Sequence, residues 1–294
     1  MSDATHASGP SRGHLILRGG GEVEQGEPTV ARFVELLGGA DQPVVYIPTA
    51  SPDFGLSGDF ATGLTSTLKA HGLTNVTILH TRDRTEADSA TFVEPIRASR
   101  GVWIGGGRHC RLADAYLHTR THEELSALLQ RGGVVAGGSA GATIQGSYLI
   151  RGDSYAHDPD DKLPNLILMG DHEEGFGFLS NTVIDQHVLA RNRLFDIPVV
   201  QEEHPDLLGL GIDEHTAIVV SGEQFEVVGK SYVAVYDGTS WSEDRGKVTD
   251  TDEPFYLLGH GKRYDLRTGE IFEPEDGQLS SESAPCASPD EVSS

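Results

Sequence analysis

The chain has 294 residues, of which 45 are Asp or Glu against 22 Lys plus Arg, giving a formal charge of −23; 37% are hydrophobic. That length carries one large domain or two modest ones with a core that needs no cross-links, and an acidic chain without a basic stripe is a poor fit to nucleic acid. No apolar run approaches the ~20 residues of a membrane helix, and residues 1–12 lack the basic start and apolar middle of a secretory signal; the expected location is cytoplasmic, or extracellular if a leader has been removed.

Only Cys110 and Cys286 are present, the latter in a Ser/Pro/Asp-rich tail, so no disulfide is expected. The acidity serves either solubility and salt tolerance or the attraction of a cationic substrate. Composition does not separate the two.

Residues 14–18 (HLILR) read as a buried strand stopping at Gly19-Gly20-Gly21, and 44–47 as another ending in Pro48-Thr49-Ala50-Ser51. Between them Val30, Phe33, Val34 and Leu37 have the spacing of an amphipathic helix over 28–37. The alternation continues with a helix near 60–71, a strand at 76–79, a helix over 87–98 and a strand at 101–104. One or two helices over 111–130, a strand at 134–136 and a helix from Ala140 complete it. Such a pattern predicts a mostly parallel sheet with helices on both faces, and ligands sit at the carboxyl ends of its strands. The loops at 19–21, 48–52, 105–109 and 137–141 should therefore share one rim. From about 205 strands and turns take over (216–220, 225–228, 232–236, 255–258), read as an antiparallel extension of the same domain. The expected organisation is an unstructured start (1–12), one α/β domain over 13–274, and an acidic disordered tail over 275–294.

Gly137-Gly138-Ser139-Ala140-Gly141 is a G-x-S-x-G between an apolar strand and a helix-compatible stretch. A serine there sits on a sharp strand-to-helix turn that lifts its hydroxyl above the sheet, with the Ala140 N–H facing an oxyanion. The hydroxyl needs a base, and the base a carboxylate. Among 13 histidines, His187 is the best placed, since it ends the β-branched run 181–184 at a polar cluster; Glu214, between a Gly-rich approach and a strand, is the candidate acid.

These residues resemble the cyanophycinases and the wider serine peptidase group that also contains aspartyl dipeptidase, peptidase family S51. The resemblance rests on GGG-E at 19–22, I-P-T-A-S at 47–51, G-G-G at 105–107, G-S-A-G-A at 138–142, D-Q-H at 185–187 and G-I-D-E-x-T-A at 211–217, in order through roughly 14–274. It implies Ser139 as nucleophile, His187 as general base and Glu214 as the carboxylate orienting the imidazole. It further implies a class I glutamine amidotransferase-like (flavodoxin-like) α/β sandwich in which Gly106 or Gly107 adds the second oxyanion donor beside Ala140. In the cyanophycinase branch, arginines after D-Q-H hold substrate carboxylates; Arg191 and Arg193 stand at two such positions, with Asp185 and Gln186 before them. This chain departs from the branch in carrying Asp196 in place of a third arginine, and Arg108-His109 where a Gln is usual.

The acidic loop of Asp153, His157, Asp158, Asp160 and Asp161 lacks a Ca²⁺-loop pattern, and His172-Glu173-Glu174 lacks H-E-x-x-H spacing. Both are read as solvated loops, with no metal and no cofactor expected. The expectation is a serine hydrolase acting through an acyl-enzyme on cyanophycin or a related β-aspartyl-arginine peptide, with a homodimer as the common quaternary state. Alternatives are a dipeptidase for aspartyl or isoaspartyl peptides and a non-catalytic ligand-binding member of the fold. The order Ser139, His187, Glu214 separates the chain from α/β-hydrolase esterases, whose acid precedes the histidine.

Overall fold

The computed structural model describes residues 6–24, 26–52, 69–70, 72–152, 169–238 and 254–273. Its first strand, β1 (His14–Arg18), runs parallel to β5 (Val134–Gly138), which pairs in turn with β4 (Gly101–Ile104), then β2 (Val44–Ile47), then β3 (Val76–Ile78). Leu15, Val102 and Val135 are fully buried, as continuous apolar strands covered on both faces require. On the other side of β1 the sheet continues antiparallel through β8 (Thr216–Ser221), β9 (Gln224–Gly229), β12 (Arg263–Asp265) and β13 (Ile271–Phe272). The result is a nine-stranded sheet whose parallel part, β1-β5-β4-β2-β3, is extended beyond β1 by C-terminal antiparallel strands.

The late strands do not all join it. β7 (Leu208–Ile212), β10 (Val233–Tyr236) and β11 (Tyr256–Leu258) form a second, four-stranded sheet with β6 (Thr182–Gln186), of which only β6 and β7 are parallel. The α/β sandwich with C-terminal antiparallel strands holds; its extension is divided between two sheets.

Helix α1 (Pro28–Leu37) starts with Pro28 in its first turn and stops at Gly38 in the left-handed conformation. It lays Val30, Phe33 and Leu37 against Ile16, Trp103, Ala136 and Val219 on one face of the large sheet. The other face packs against α2 (Arg84–Ala87), α3 (Glu94–Ala98), α4 (His109–Tyr116), α5 (Arg120–Gln130) and α6 (Ala140–Thr143). It also meets Leu210, Ile212, Val233 and Val235 from the second sheet. The outer face of that sheet is closed by α7 (Asp196–Glu203) through Ile197 and Val200 against Val183, Ala234 and Tyr236.

The single helix expected over 87–98 is two short ones, α2 capped by the Asp83 side chain on the Thr85 N–H and α3 begun at Glu94-Pro95. Residues 6–12, expected to be unstructured, pack instead: Ala7 is buried and Ser8 pairs antiparallel with Ser180. The helix expected near 60–71, the acidic loop at 153–161 and the tail at 275–294 fall mostly or wholly outside the described residues. Cys110 is a buried free thiol. Among the described residues no helix is long and apolar enough to cross a membrane.

Candidate active site

The four loops do share one rim. Gly105 donates its N–H to Ile47 O, Arg108 to Ala50 O and Ser139 to Arg18 O, each at 2.9 Å, which ties the ends of β4, β2, β5 and β1 together. Ser139 follows β5 with φ 53° and ψ −116°, a strained backbone for a residue with a Cβ. The helix behind it is a single turn, α6, with Ala142 and Thr143 N–H groups on the Ser139 carbonyl.

The Ser139 Oγ lies 3.0 Å from His187 Nε2, and His187 Nδ1 lies 2.5 Å from Glu214 Oε1. Three segments far apart in sequence thus meet in hydrogen-bonding order. Consecutive carbonyls of one loop hold them: Arg18 O takes the Ser139 N–H, Gly19 O the His187 N–H at 3.1 Å, and Gly20 O the His215 N–H, next to Glu214, at 2.9 Å. That loop is anchored in turn by Arg18, which is buried. Its guanidinium binds the buried Glu27 carboxylate at 2.5 and 3.0 Å and donates to Gly21 O and Glu22 O. Gly20 is obligatory here, because at φ 127° a Cβ would come within 2.6 Å of both ring nitrogens of His187.

Burial holds the His187 imidazole below its ordinary pKa, and the Arg191 charge pushes the same way against the Glu214 hydrogen bond. The imidazole is therefore neutral at neutral pH, the state in which it can accept a proton from a serine hydroxyl.

Of the expected oxyanion donors, neither the Ala140 nor the Gly106 N–H goes to a backbone carbonyl among the described residues. A Cβ on Gly106 would stand 3.3 Å from the Ser139 Cβ, so that loop passes directly beside Ser139. Gly107, at φ 136°, is folded against the Ala50 carbonyl instead.

Among the residues expected at the substrate, Gln186 reaches the site, with Oε1 at 3.4 Å from the Ser139 Oγ, and Arg191 is exposed and close enough to act on His187. The other four turn inward. Asp185 is completely buried and takes Arg151 Nη2 at 3.1 Å and Arg193 Nη1 at 3.6 Å. Arg193 also donates to Gln186 O, and burial lowers its pKa to about 10. Arg108 and His109 are buried where the chain enters α4. Asp196, the departure noted in the sequence, pairs with Arg151, so the acid serves this internal network. Arg151 itself carried no sequence signal: it follows an apolar run, and only the fold brings it to Asp185.

The site opens into a pocket of about 210 Å³ lined by Arg18, Gly20, Gly21, Val23, Tyr46, Trp103, Gly105, Gly106, Gly138, Ser139 and His187. His172, read as part of a solvated loop, binds Asp114 and Asp171, and none of the three lines this pocket.

The sequence profile of Peptidase family S51 matches residues 15–228, which carry all three members of the relay. The chain belongs to this family. It is 30% identical over 263 residues to a cyanophycinase of Geminocystis herdmanii (strain PCC 6308), covering 86% of this chain and 93% of that one. It is 28% identical over 281 residues to a cyanophycinase of Thermosynechococcus vestitus, covering 92% and 84%. Among solved structures, a peptidase from an acI-B1 Actinobacterium superposes with a TM-score of 0.64 at 22% identity over 88% of this chain and 98% of that one. A putative peptidase E protein from Listeria monocytogenes EGD-e gives 0.51 at 20% identity over 74% and 99%. The fold is thus that of S51 peptidases, and the chain is a serine peptidase.

Proposed function

We propose that this peptidase cleaves the backbone of a β-aspartyl-arginine polymer of the cyanophycin type, releasing dipeptides through an acyl-enzyme. The observation that carries the chemistry is the relay of 3.0 and 2.5 Å from Ser139 through His187 to Glu214. Ser139 attacks the carbonyl as His187 Nε2 takes its proton, and the charge on the carbonyl oxygen is met by the N–H groups of Ala140 and Gly106. The imidazolium, held by Glu214, then protonates the leaving amine. In the second half-reaction His187 activates the water that cleaves the ester. Ser139 stays poised because the elbow fixes its backbone.

Three observations support the choice of substrate. Relatives of 27–30% identity over most of their length are cyanophycinases. The chain's charge of −23 attracts a polymer with an arginine on every unit. Arg191, exposed beside His187, offers a planar fork to a carboxylate of the same unit.

The test is peptide release from insoluble cyanophycin compared with a panel of β-aspartyl and α-aspartyl dipeptides, using the wild-type protein and Ser139→Ala. Release of β-Asp-Arg that disappears in Ser139→Ala is the expected result. Turnover of dipeptides alone would reassign the enzyme to short aspartyl peptides, and retained turnover in Ser139→Ala would remove the mechanism.

A further inference from the structure

The pocket beside Ser139 has a wall that the relay does not use. Tyr46, on β2, and Trp103, on β4, both line it, on the face of the sheet covered by α1. His187 is tied to Gly19, just beyond β1, whereas β4 and β2 lie on the other side of β5. The wall therefore flanks the nucleophile on the side away from its base.

Among the described residues neither the Tyr46 hydroxyl nor the Trp103 indole N–H forms a hydrogen bond, although Trp103 is only 7% exposed. Neither tip is sealed in, since neither is among the buried polar atoms without a partner, so both reach solvent and are free to meet a ligand. Gly105 shows where the Tyr46 hydroxyl stands, since a Cβ there would come within 2.5 Å of it. The oxyanion loop has thus given up a side chain at the position where that hydroxyl arrives. Burial pushes the Tyr46 pKa up to about 12, so the phenol keeps its proton at any pH the protein meets. Among the described residues no carboxylate side chain lines the pocket, and the one cation that does, Arg18, is neutralised by Glu27.

The geometry points to a subsite in which the Tyr46 hydroxyl and the Trp103 indole N–H donate to a carboxylate of the substrate unit whose carbonyl Ser139 attacks. Neutral donors with no competing acid suit an anionic acceptor; a guanidinium would meet two more donors and no counter-charge. Within the reading of the chain as a cyanophycin-type peptidase, this assigns recognition of the unit's carboxylate to the wall as well as to Arg191. It also makes Tyr46 and Trp103 specificity-determining residues.

The experiment measures kcat and KM for a short β-Asp-Arg oligomer and for its analogue with each arginine carboxylate converted to a carboxamide, using the wild type, Tyr46→Phe and Trp103→Phe. Both substitutions keep an aromatic ring in place, and circular dichroism verifies folding. The expected result is a rise in KM of roughly tenfold for the carboxylate substrate in each variant, the loss of a hydrogen bond to a charged group, with kcat nearly unchanged and little effect on the carboxamide. Equal KM values for wild type and both variants on the carboxylate substrate would overturn the subsite. So would a variant effect of the same size on both substrates. If the wild type turns over neither oligomer but does hydrolyse other aspartyl peptides, the substrate reading fails instead. The wall is then tested by the same carboxylate and carboxamide comparison on those peptides.

Discussion

Replacing Gly20 by Ala adds one methyl group against the His187 ring and should disable the enzyme. The new Cβ would stand 2.6 Å from both His187 ring nitrogens, whereas ordinary contacts begin near 3.4 Å. With His187 Cε1 only 2.1 Å from the new Cβ, the imidazole must retreat by more than an ångström, since a shift of the 18–20 segment carries Ser139, His187 and His215 with it and leaves the clash in place. With the ring displaced, the 3.0 Å bond from Ser139 to His187 is lost. Misplacing a reacting group by about 1 Å costs on the order of 10²-fold in rate, and the φ of 127° adds about 1–3 kcal/mol of strain for a residue with a Cβ. The assay is kcat on a soluble peptide substrate together with the rate of Ser139 labelling by a fluorophosphonate, with thermal unfolding as a control. Both rates should fall by about 10²-fold in protein that still unfolds cooperatively. A kcat within twofold of wild type would refute the claim that Gly20 makes room for the base.

The pH profile offers a second test. Because burial and Arg191 both hold the His187 pKa below its ordinary value, kcat/KM should rise through an apparent pKa below 6.5 and be level by neutral pH. Removing a cation favours the imidazolium, so Arg191→Ala should move that limb upward; an unmoved or lowered limb would contradict the assignment. Arg18→Ala leaves the buried Glu27 without its counter-charge, a change worth about 3–5 kcal/mol, and should lower both Tm and kcat. Arg18→Met combined with Glu27→Leu should recover Tm but not kcat, and recovery of both would show that the pair does not position the 19–22 loop. His109 is buried, and burial lowers its pKa to about 4 against the opposing pull of the Ile150 and Arg151 backbone. Unfolding lets it bind a proton below 6.5, so its contribution to stability is complete above that pH and is lost as pH falls towards 4, a span worth about 3 kcal/mol. Urea unfolding at pH 7 and 4.5 should show a smaller acid loss for His109→Gln than for wild type, and an identical loss would count against the burial argument.

Where local pattern decides structure, the sequence was readable. HLILR, VVYI and GVWI are strands with their boundaries as expected, because continuous apolar runs ending in Gly or Pro have few other homes. G-x-S-x-G lies on the turn between β5 and α6 because only small residues fit there: a Cβ on Gly141 would strike the Ile104 carbonyl. Non-local packing hid the rest. LGLGI looked like a Gly-rich approach but is β7, fully buried; Gly209 is there so that Tyr236 can lie across the strand, with its Cβ 2.8 Å from where a side chain would begin. Helix α7 has only Ile197 and Val200 fully buried, too few to show a period. The basic residues were the hardest. Arg191 and Arg193 are two residues apart in one loop, yet one is exposed and the other pairs with Asp185, and that choice is made by Arg151 and Asp196 arriving from elsewhere.

The same non-locality explains how three distant side chains reach working geometry. Ser139, His187 and His215 all have positive φ, at 53°, 57° and 54°, conformations that cost about 1–3 kcal/mol each when nothing enforces them. Each N–H is held by a carbonyl from the single run 18–20, which is itself clamped between Thr216 O at the Gly19 N–H and the Arg18–Glu27 pair beneath. A shared hub of this kind makes the errors of the three segments correlated: a displacement of 18–20 moves nucleophile, base and acid together and preserves their mutual distances. Three independent anchors would let each drift separately, and the relay distances would blur. A second glycine at the hub tests this directly. Gly19 would carry a Cβ within 2.6 Å of the Ile212 carbonyl carbon, so Gly19→Ala pushes the hub as a whole rather than His187 alone. It should lower Tm more and the rate of Ser139 labelling less than Gly20→Ala does. The reverse order would mean that the three segments find their places without the hub.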